Sequence, residues 1–154
     1  MEKIAIFPGT FDPFTIGHES VVNRAQVLFD KLYIAVGINV QKDALFSLED
    51  RKGFINQVFD GNSKIEVVHY EGLTIDFCKS MGANYILRGL RTAADFEYER
   101  AIAQVNKAMY EGIETVFFLT MPEHTPINSS IVRDVIRHGG DVSKFIPSKM
   151  NIKK

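Results

Sequence analysis

One segment near the start of the chain combines two glycines, two prolines, two threonines and a histidine, residue types suited to binding an anion. It reads Phe7-Pro8-Gly9-Thr10-Phe11-Asp12-Pro13-Phe14-Thr15-Ile16-Gly17-His18. Glycine lets the backbone approach a phosphate closely, and the Thr10 hydroxyl and the His18 imidazole can each donate a hydrogen bond to it. Taken singly, Thr10 is an ordinary turn residue and His18 an ordinary surface histidine. Together, these residue types predict an anion-binding loop.

Two later segments carry groups that bind phosphates. Arg88-Gly89-Leu90-Arg91 offers two guanidinium groups, each able to bind a phosphate through paired hydrogen bonds. Ile127-Asn128-Ser129-Ser130 offers hydroxyls and the N–H groups at the start of a helix, which suit the β- and γ-phosphates of a nucleotide. Structural roles are the alternatives: the arginines could pair with Asp95, Glu97 or Glu99 at the surface, and Asn128 or Ser129 could be a helix cap.

The elements on either side of the first segment place its polar groups at the end of a strand. A β-branched and aromatic run at 3–7 predicts a buried strand before it. After it, apolar residues recur at helical spacing: Val21, Val22, Ala25, Leu28 and Phe29. The segment therefore leads from a strand to a helix N-terminus, where α/β proteins bind anions. Since His18 lies in the first helical turn, near the positive end of the helix dipole, we expect a neutral imidazole that donates one hydrogen bond.

Strands and helices alternate along the rest of the chain. Further strands are predicted at 32–38, 65–69, 85–87 and 115–119. The strand at 85–87, the fourth in the chain, ends at Arg88-Gly89. A long helix that closes at Gly112 carries one apolar stripe, formed by Tyr98, Ile102, Val105 and Met109. The tail around Phe145-Ile146-Pro147 is expected to fray. The alternation implies right-handed crossovers and a mostly parallel, doubly wound α/β sheet, whose carboxyl edge would gather the groups that follow the strands.

Length and composition limit the classes of protein to which the chain can belong. Its 154 residues, 45% of them hydrophobic and 24% charged, fit a single α/β domain over 1–154. A net charge of −1 favours neither nucleic acid nor an anionic membrane as a partner. Cys78, in an apolar run, is the only cysteine, which suits a reducing cytoplasm. The start Met1-Glu2-Lys3 shows no signal peptide and no apolar run could cross a bilayer, so we expect a cytoplasmic protein.

The motifs and their order resemble a known superfamily. Pro8-Gly9-Thr10-Phe11-Asp12-Pro13 followed by Thr15-Ile16-Gly17-His18 resembles the first signature of the nucleotidylyltransferases, in its T-x-G-H form. With the arginine segment at 88–91 and Asp95-Phe96-Glu97-Tyr98-Glu99, the chain is similar to the bacterial phosphopantetheine adenylyltransferase family over 3–147. The resemblance implies one nucleotidylyltransferase domain, with a Rossmann-like sheet of five parallel strands in the order 3-2-1-4-5.

The resemblance also implies a reaction and its partners. It implies transfer of AMP from ATP to 4′-phosphopantetheine, giving dephospho-coenzyme A and pyrophosphate by in-line transfer without a covalent intermediate. Mg²⁺ would arrive with ATP, because no histidine, cysteine and acid cluster has metal-ligand spacing. The similar proteins assemble as homohexamers, and we expect the same of this chain.

Roles for single residues follow from the same resemblance. It implies that His18 is catalytic, that Thr10, Lys42 and Arg88 contact the acceptor, and that Thr74 lines the pantetheine arm, mostly by its backbone. For the nucleotide it implies contacts from Thr10, Phe11, His18, Gly89, Leu90, Arg91, Glu99, His124, Thr125, Pro126, Ile127, Asn128, Ser129 and Ser130. Without the resemblance, Lys42 and Glu99 would be interpreted as solvated surface charges.

The sequence departs from the family pattern at three places. Asp43-Ala44 stands where the family usually has a basic residue and a proline after the lysine, and Asp43 weakens the positive potential around Lys42. Asn128 replaces a serine, and His124 replaces an aromatic residue, so His124 is expected to be a contact by position and not a catalyst.

Other functions remain open from the residues alone. The first loop and His18 would also serve a nicotinate-mononucleotide adenylyltransferase or a cytidylyltransferase, and the segment from Arg88 to Glu99 favours the phosphopantetheine enzyme. A nucleotide-sensing domain without turnover is the alternative from another class. The sequence contains neither a Walker G-x-x-x-x-G-K-[ST] loop nor a G-x-G-x-x-G fingerprint, which disfavours P-loop hydrolysis and dinucleotide redox chemistry.

Overall fold

Five parallel strands form one sheet in the computed structural model, which describes residues 1–152. The strands are β1 (Ile4–Gly9), β2 (Lys31–Ile38), β3 (Ile65–Glu71), β4 (Tyr85–Leu90) and β5 (Glu114–Leu119). Their order is β3-β2-β1-β4-β5, which confirms the predicted order. The chain builds outward from β1 on one side and from β4 on the other, so a crevice opens between the carboxyl ends of these two strands.

Helices cover both faces of the sheet. They are α1 (Ile16–Ala25), α2 (Leu48–Val58), α3 (Thr74–Ser80), α4 (Ala93–Met109) and α5 (Ser129–Arg137), with 3₁₀ turns at Gln26–Leu28 and Pro122–His124. Side-chain caps begin several of them: Thr15 caps α1, Ser47 accepts the Asp50 N–H at α2, and Asn128 accepts the Ile131 N–H at α5. Two apolar clusters, one containing Phe7 and the other Ile6, form the core, because successive residues of a strand point to opposite faces.

Two sequence-based expectations are wrong. Strand β4 continues to Leu90, so Arg88 and Gly89 lie within the strand and not in the turn after it. The tail does not fray: Val142, Ile146 and Met150 are buried in the core, and the Phe145 carbonyl accepts the Ile16 N–H at 3.0 Å. The apolar positions of the tail pack under α1 and α5, a long-range contact to which local composition gives no signal.

Helix α4 stands largely apart from the core. Its predicted apolar stripe is exposed: Tyr98 by 70%, Ile102 by 39%, Val105 by 57% and Met109 by 41%. The buried position that this helix contributes is a carboxylate, Glu99. Much of the stripe's apolar surface is therefore left uncovered by the core.

Two smaller observations concern reactivity and membranes. Cys78 is fully buried, and burial raises the pKa of its thiol to about 11, so it behaves as an apolar core residue, as its setting predicts. No helix within residues 1–152 is long and apolar enough to span a bilayer.

Candidate active site

Two cavities meet at the carboxyl edge of the sheet. The larger has a volume of about 700 Å³ and the smaller about 310 Å³. Six residues line both of them: Pro8, Gly9, Thr10, Arg88, Tyr98 and Glu99. We call this common wall the seam. A molecule in one cavity and a molecule in the other would therefore meet at Thr10 and Arg88.

The smaller cavity is lined by the polar groups that the sequence singled out. It brings together His18, Gly89 and Arg91 with Phe11, Ile127, Asn128 and Ser129. These residues lie in α1 and the loop before it, at the end of β4, and at the start of α5, which are far apart in the chain. The topology thus gathers at one edge the hydroxyls, cations and helix N-termini that phosphates require.

The tautomer of His18 is set by the helix cap before it. Thr15 donates its backbone N–H to His18 Nδ1 at 2.9 Å, while the Thr15 hydroxyl accepts the His18 N–H at 3.4 Å. Because Nδ1 accepts a hydrogen bond, the proton of the neutral ring lies on Nε2. This reciprocal cap locks the ring and leaves the Nε2–H as the donor for a ligand.

The His18 ring is neutral at physiological pH. Burial lowers its pKa from the ordinary value of 6.5 to about 3, and the positive charges of Arg88 and Arg91 act in the same direction. The burial comes from aromatic neighbours: the ring centroids of Phe11 and Phe14 lie 5.0 and 5.2 Å from the imidazole. The lowered pKa agrees with the predicted neutral form, and burial is its largest cause, ahead of the charges of Arg88 and Arg91.

Much of the start of α1 is already hydrogen-bonded. The Ile16 N–H donates to the Phe145 carbonyl, and the His18 N–H donates to Thr15. Within residues 1–152, the Gly17 N–H has no such partner, and Gly17 lines the smaller cavity. The helix N-terminus thus offers an anion one backbone donor beside His18 Nε2, fewer than an isolated helix would offer.

Arg88, in β4, and Arg91, directly after it, form the ion pairs that are the alternative to phosphate binding. Arg88 donates Nε–H to Glu99 Oε2 at 3.0 Å, and a second N–H goes to Glu99 Oε1. Arg88 also donates to the Pro8 carbonyl at 2.7 Å, and Arg91 pairs with Asp95 at 3.2 Å. The first pair differs from an ordinary surface bridge because Glu99 is only 8% exposed. Three of the five N–H donors of Arg88 are engaged, and two can still reach a phosphate.

The start of α5 uses its hydroxyls to join other elements. The Ser129 hydroxyl donates to the Pro13 carbonyl at 2.8 Å, and the Ser130 hydroxyl accepts from Arg133 at 3.0 Å. Arg133 lines the smaller cavity and also donates to the Asp12 carbonyl at 2.8 Å. Sequence analysis missed this arginine. Its spacing, one helical turn after Ser129 and Ser130, is the signal that could have found it.

The larger cavity has a different lining. Thr74 lies in its wall, as predicted, beside the exposed Leu73 and the α4 residues Ile102 and Asn106. Its polar groups include a pair of hydroxyls, Tyr70 and Thr74, whose oxygens are 2.8 Å apart, together with the side chains of Asn39, Gln41 and Asn106. Apolar surface with a few hydrogen-bonding groups suits a long, flexible, largely uncharged chain.

Several predicted contacts line neither cavity. Lys42 is exposed in the loop between β2 and α2, where its neighbours Val40 and Gln41 line the larger cavity instead. The other predicted residues outside both walls are Leu90, His124, Thr125, Pro126 and Ser130. Within the described part of the chain, buried His124 Nδ1 has no hydrogen-bond partner. Among residues 1–152, no three histidine, cysteine or acidic side chains lie close enough together to hold a metal ion.

Comparison with known proteins gives one consistent result. Residues 6–135 match the model of the cytidylyltransferase-like family. Two proteins named phosphopantetheine adenylyltransferase are similar over almost their full lengths. The one from Flavobacterium psychrophilum is 53% identical over 97% of this chain and 98% of the relative. The one from Flavobacterium johnsoniae is 52% identical, again over 97% of this chain and 98% of the relative.

A solved structure supports the fold. A nicotinate-nucleotide adenylyltransferase from Vibrio parahaemolyticus superimposes with a TM-score of 0.73, covering 97% of this chain and 96% of that one. The two sequences are only 21% identical, so this likeness concerns the architecture and not the substrate.

Proposed function

We propose a mechanism for this chain, starting from its family: it belongs to the cytidylyltransferase-like family and, within it, to the phosphopantetheine adenylyltransferases. The chain is an adenylyltransferase that moves AMP from ATP to 4′-phosphopantetheine, giving dephospho-coenzyme A and pyrophosphate. This step belongs to coenzyme A biosynthesis. The mechanism depends on which of the two cavities binds which substrate.

The observation that carries the mechanism is the seam between the cavities. ATP occupies the smaller cavity, where His18, Arg91 and Ser129 suit its phosphates. The pantetheine arm occupies the larger, apolar cavity, and its terminal phosphate reaches the seam. The α-phosphate of ATP and the acceptor phosphate then face each other beside Thr10 and Arg88, which supports an in-line reaction.

The chemistry requires positioning and charge stabilisation. The acceptor phosphate is an anion near neutral pH, so its oxygen attacks the α-phosphorus without a general base. As the new P–O bond forms, the bond to the β-phosphate oxygen breaks, and pyrophosphate leaves with the electron pair. His18 donates its Nε2–H to an α-phosphate oxygen and stabilises the charge that grows there. No covalent enzyme intermediate is needed.

The remaining residues bind the acceptor phosphate on one side of the reacting phosphorus and the departing pyrophosphate on the other. Thr10 orients the acceptor phosphate, and Arg88 binds it through the N–H groups that Glu99 and Pro8 leave available. Arg91, with the start of α5 at Ser129 and Ser130, stabilises the departing pyrophosphate. Lys42 contacts the acceptor only when its loop bends over the seam, because it lies outside both cavities in this conformation.

Mg²⁺ is proposed to enter as part of the nucleotide complex. The carboxylates of the smaller cavity are already engaged: Asp12 accepts two backbone N–H groups, Asp95 pairs with Arg91, and Glu99 pairs with Arg88. This donor set fits an ion that keeps water and phosphate oxygens as its ligands. Bound in this way, Mg²⁺ supplies neutralisation of phosphate charge.

Assembly and location are further parts of the proposal. The bare apolar stripe of α4, formed by Tyr98, Ile102, Val105 and Met109, supports association between copies, and the family resemblance suggests a homohexamer. A cytoplasmic location is supported by the single, buried cysteine. Sedimentation at micromolar concentration tests the assembly, and a monomer would contradict it.

The activity is tested by pyrophosphate release. We expect release with ATP and phosphopantetheine together, and none when either is withheld. Nicotinate mononucleotide as acceptor tests the adenylyltransferase alternative, and CTP in place of ATP tests a cytidylyltransferase. Binding of ATP without pyrophosphate release under any of these conditions would indicate a nucleotide sensor and contradict the proposal.

A further inference from the structure

A buried arginine outside the predicted motifs is hydrogen-bonded to the first of them. Arg51 lies in α2 and is only 6% exposed. It donates NH1–H to the Thr10 carbonyl at 2.9 Å and Nε–H to the Phe46 carbonyl at 3.1 Å. Among the described residues, no carboxylate lies within ion-pair distance of it. Arg51 is therefore a buried cation whose guanidinium joins two loops through their backbone.

A second buried charge joins the same two loops in the opposite direction. Asp12 is 3% exposed, and its carboxylate accepts the N–H groups of Leu45 at 2.8 Å and Phe46 at 2.9 Å. Arg51 thus reaches from α2 to the first motif, and Asp12 reaches from the first motif to the residues before α2. The loop that they hold, 39–46, carries Lys42 and supplies Val40 and Gln41 to the larger cavity.

The turn between these contacts is conformationally strained. Phe11, between Thr10 and Asp12, has φ of 50°, in the left-handed region that a bulky residue avoids. Such a conformation persists only where neighbouring contacts enforce it. Here Arg51 holds the carbonyl before Phe11, and Arg133 holds the Asp12 carbonyl after it at 2.8 Å. As a result, the Phe11 ring packs edge-on against His18, 5.0 Å away.

Burying two charges without pairing them is unfavourable unless hydrogen bonds replace the lost water. An apolar residue at position 51 would avoid burying a cation, but it would leave the carbonyls of Thr10 and Phe46 without this donor. We infer that Arg51 is a positioning residue for adenylyl transfer: by holding the Thr10 carbonyl and the strained turn, it fixes Thr10 at the seam. This inference rests on the proposed function, since Thr10 matters there as an acceptor contact.

The test is a double-mutant cycle between Arg51→Lys and Thr10→Ala. Lysine keeps the charge and most of the bulk but cannot donate to both loops through a planar fork. We expect Arg51→Lys to lower kcat by about 10²-fold, because a small misplacement of a reacting group has an effect of that size. If Arg51 acts through Thr10, the double variant loses little more than the worse single variant. The ATP dissociation constant stays close to that of the unchanged protein.

Controls separate positioning from folding. All rates are measured well below the melting transition of the least stable variant, and Arg51→Met repeats the cycle if Arg51→Lys does not fold. Arg100→Lys is the matched control, because Arg100 pairs with Glu97 on the exposed side of α4. It should leave kcat unchanged. Two results would overturn the inference: a loss of kcat in the double variant equal to the product of the two single losses, or an unchanged kcat in a folded Arg51→Lys. The unchanged protein in the same assay reports separately on the proposed function.

Discussion

The two cavities differ in the kind of wall that they offer to the substrates proposed for them. The smaller is built from regular elements, and its polar groups are fixed by backbone contacts such as Thr15 N–H to His18 Nδ1 and Ser129 to the Pro13 carbonyl. The larger is walled by the ends of β2 and β3 and by α4, and it combines apolar residues such as Leu73 and Ile102 with uncharged polar groups such as the Tyr70 and Thr74 hydroxyls. The difference indicates that phosphates require fixed donors, whereas a flexible arm requires mainly apolar surface.

The largest effect should come from the smaller cavity. We expect His18→Ala to lower kcat by about 10²–10³, the usual consequence of removing one donor to a developing charge. ATP affinity and melting temperature should change little. His18→Gln sharpens the test, because glutamine at the same helical position can preserve the cap with Thr15. Kinetics with each substrate varied in turn, together with thermal melts, measure both effects.

The matched control is His138→Ala, since His138 is an exposed histidine at the end of α5. It should leave kcat unchanged. A His18→Ala variant that retains activity but loses much stability would show that His18 is structural, and the comparison between the cavities would fail.

The seam should show the next largest effect. Glu99→Gln weakens the paired contact with Arg88, which lines both cavities. We expect kcat/KM for phosphopantetheine to fall by about 10- to 100-fold, since hydrogen bonds to charged groups contribute about 1.5–3 kcal/mol. Glu97→Gln on the same helix removes a surface pair with Arg100 and should have almost no effect. Equal losses in the two variants would mean that the buried pair does not position Arg88.

The pH dependence of the melting temperature tests whether the pKa of His18 is lowered in the folded protein. Folded His18 stays neutral down to about pH 3, whereas unfolded His18 takes up a proton below about 6.5. Protons then favour the unfolded chain, so the melting temperature should fall as the pH falls from 6.5 toward 3. His18→Gln should lose this part of the decline. A limb near pH 6.5 in the kcat profile that disappears in His18→Gln would contradict a neutral imidazole.

Substitution of Lys42 should have the smallest effect, and it should change only the KM for the acceptor. Lys42 is exposed, lies outside both cavities and is followed by Asp43. We expect Lys42→Ala to raise KM for phosphopantetheine by about fivefold at most, because an exposed charge contact contributes up to about 1 kcal/mol. Lys52→Ala, on the outer side of α2, is the control. A loss of kcat comparable to that of His18→Ala would mean that Lys42 contributes to the chemical step and not only to binding of the acceptor.

The contrast between the cavities also explains what could be predicted from sequence. The smaller cavity is encoded in short motifs, so Thr10, His18, Arg91 and Ser129 could be assigned from residue type and spacing and were found together. The strand order was likewise confirmed. Sequence alone predicts that Arg88 lies in the turn after β4, because a glycine follows it. In the structure β4 continues to Leu90, so Arg88 lies within the strand.

The missed features depend on long-range packing. Arg51 looks like a solvated helix residue, and only the folded chain brings it to Thr10, 41 positions away. The local composition of the tail predicts fraying, whereas in the fold Val142, Ile146 and Met150 join the core cluster and the Phe145 carbonyl accepts the Ile16 N–H. The larger cavity has no motif because its walls are apolar positions of separate elements, such as Leu73 and Ile102, that resemble ordinary core or surface residues.

A crystal structure with dephospho-coenzyme A bound tests the central claim most directly, because this product should span both cavities. The account predicts the adenylate in the smaller cavity, its α-phosphate within hydrogen-bond distance of His18 Nε2, and the pantetheine arm between Leu73 and Ile102. A product whose phosphates lie away from both His18 and Arg88, or whose arm leaves the larger cavity empty, would contradict it.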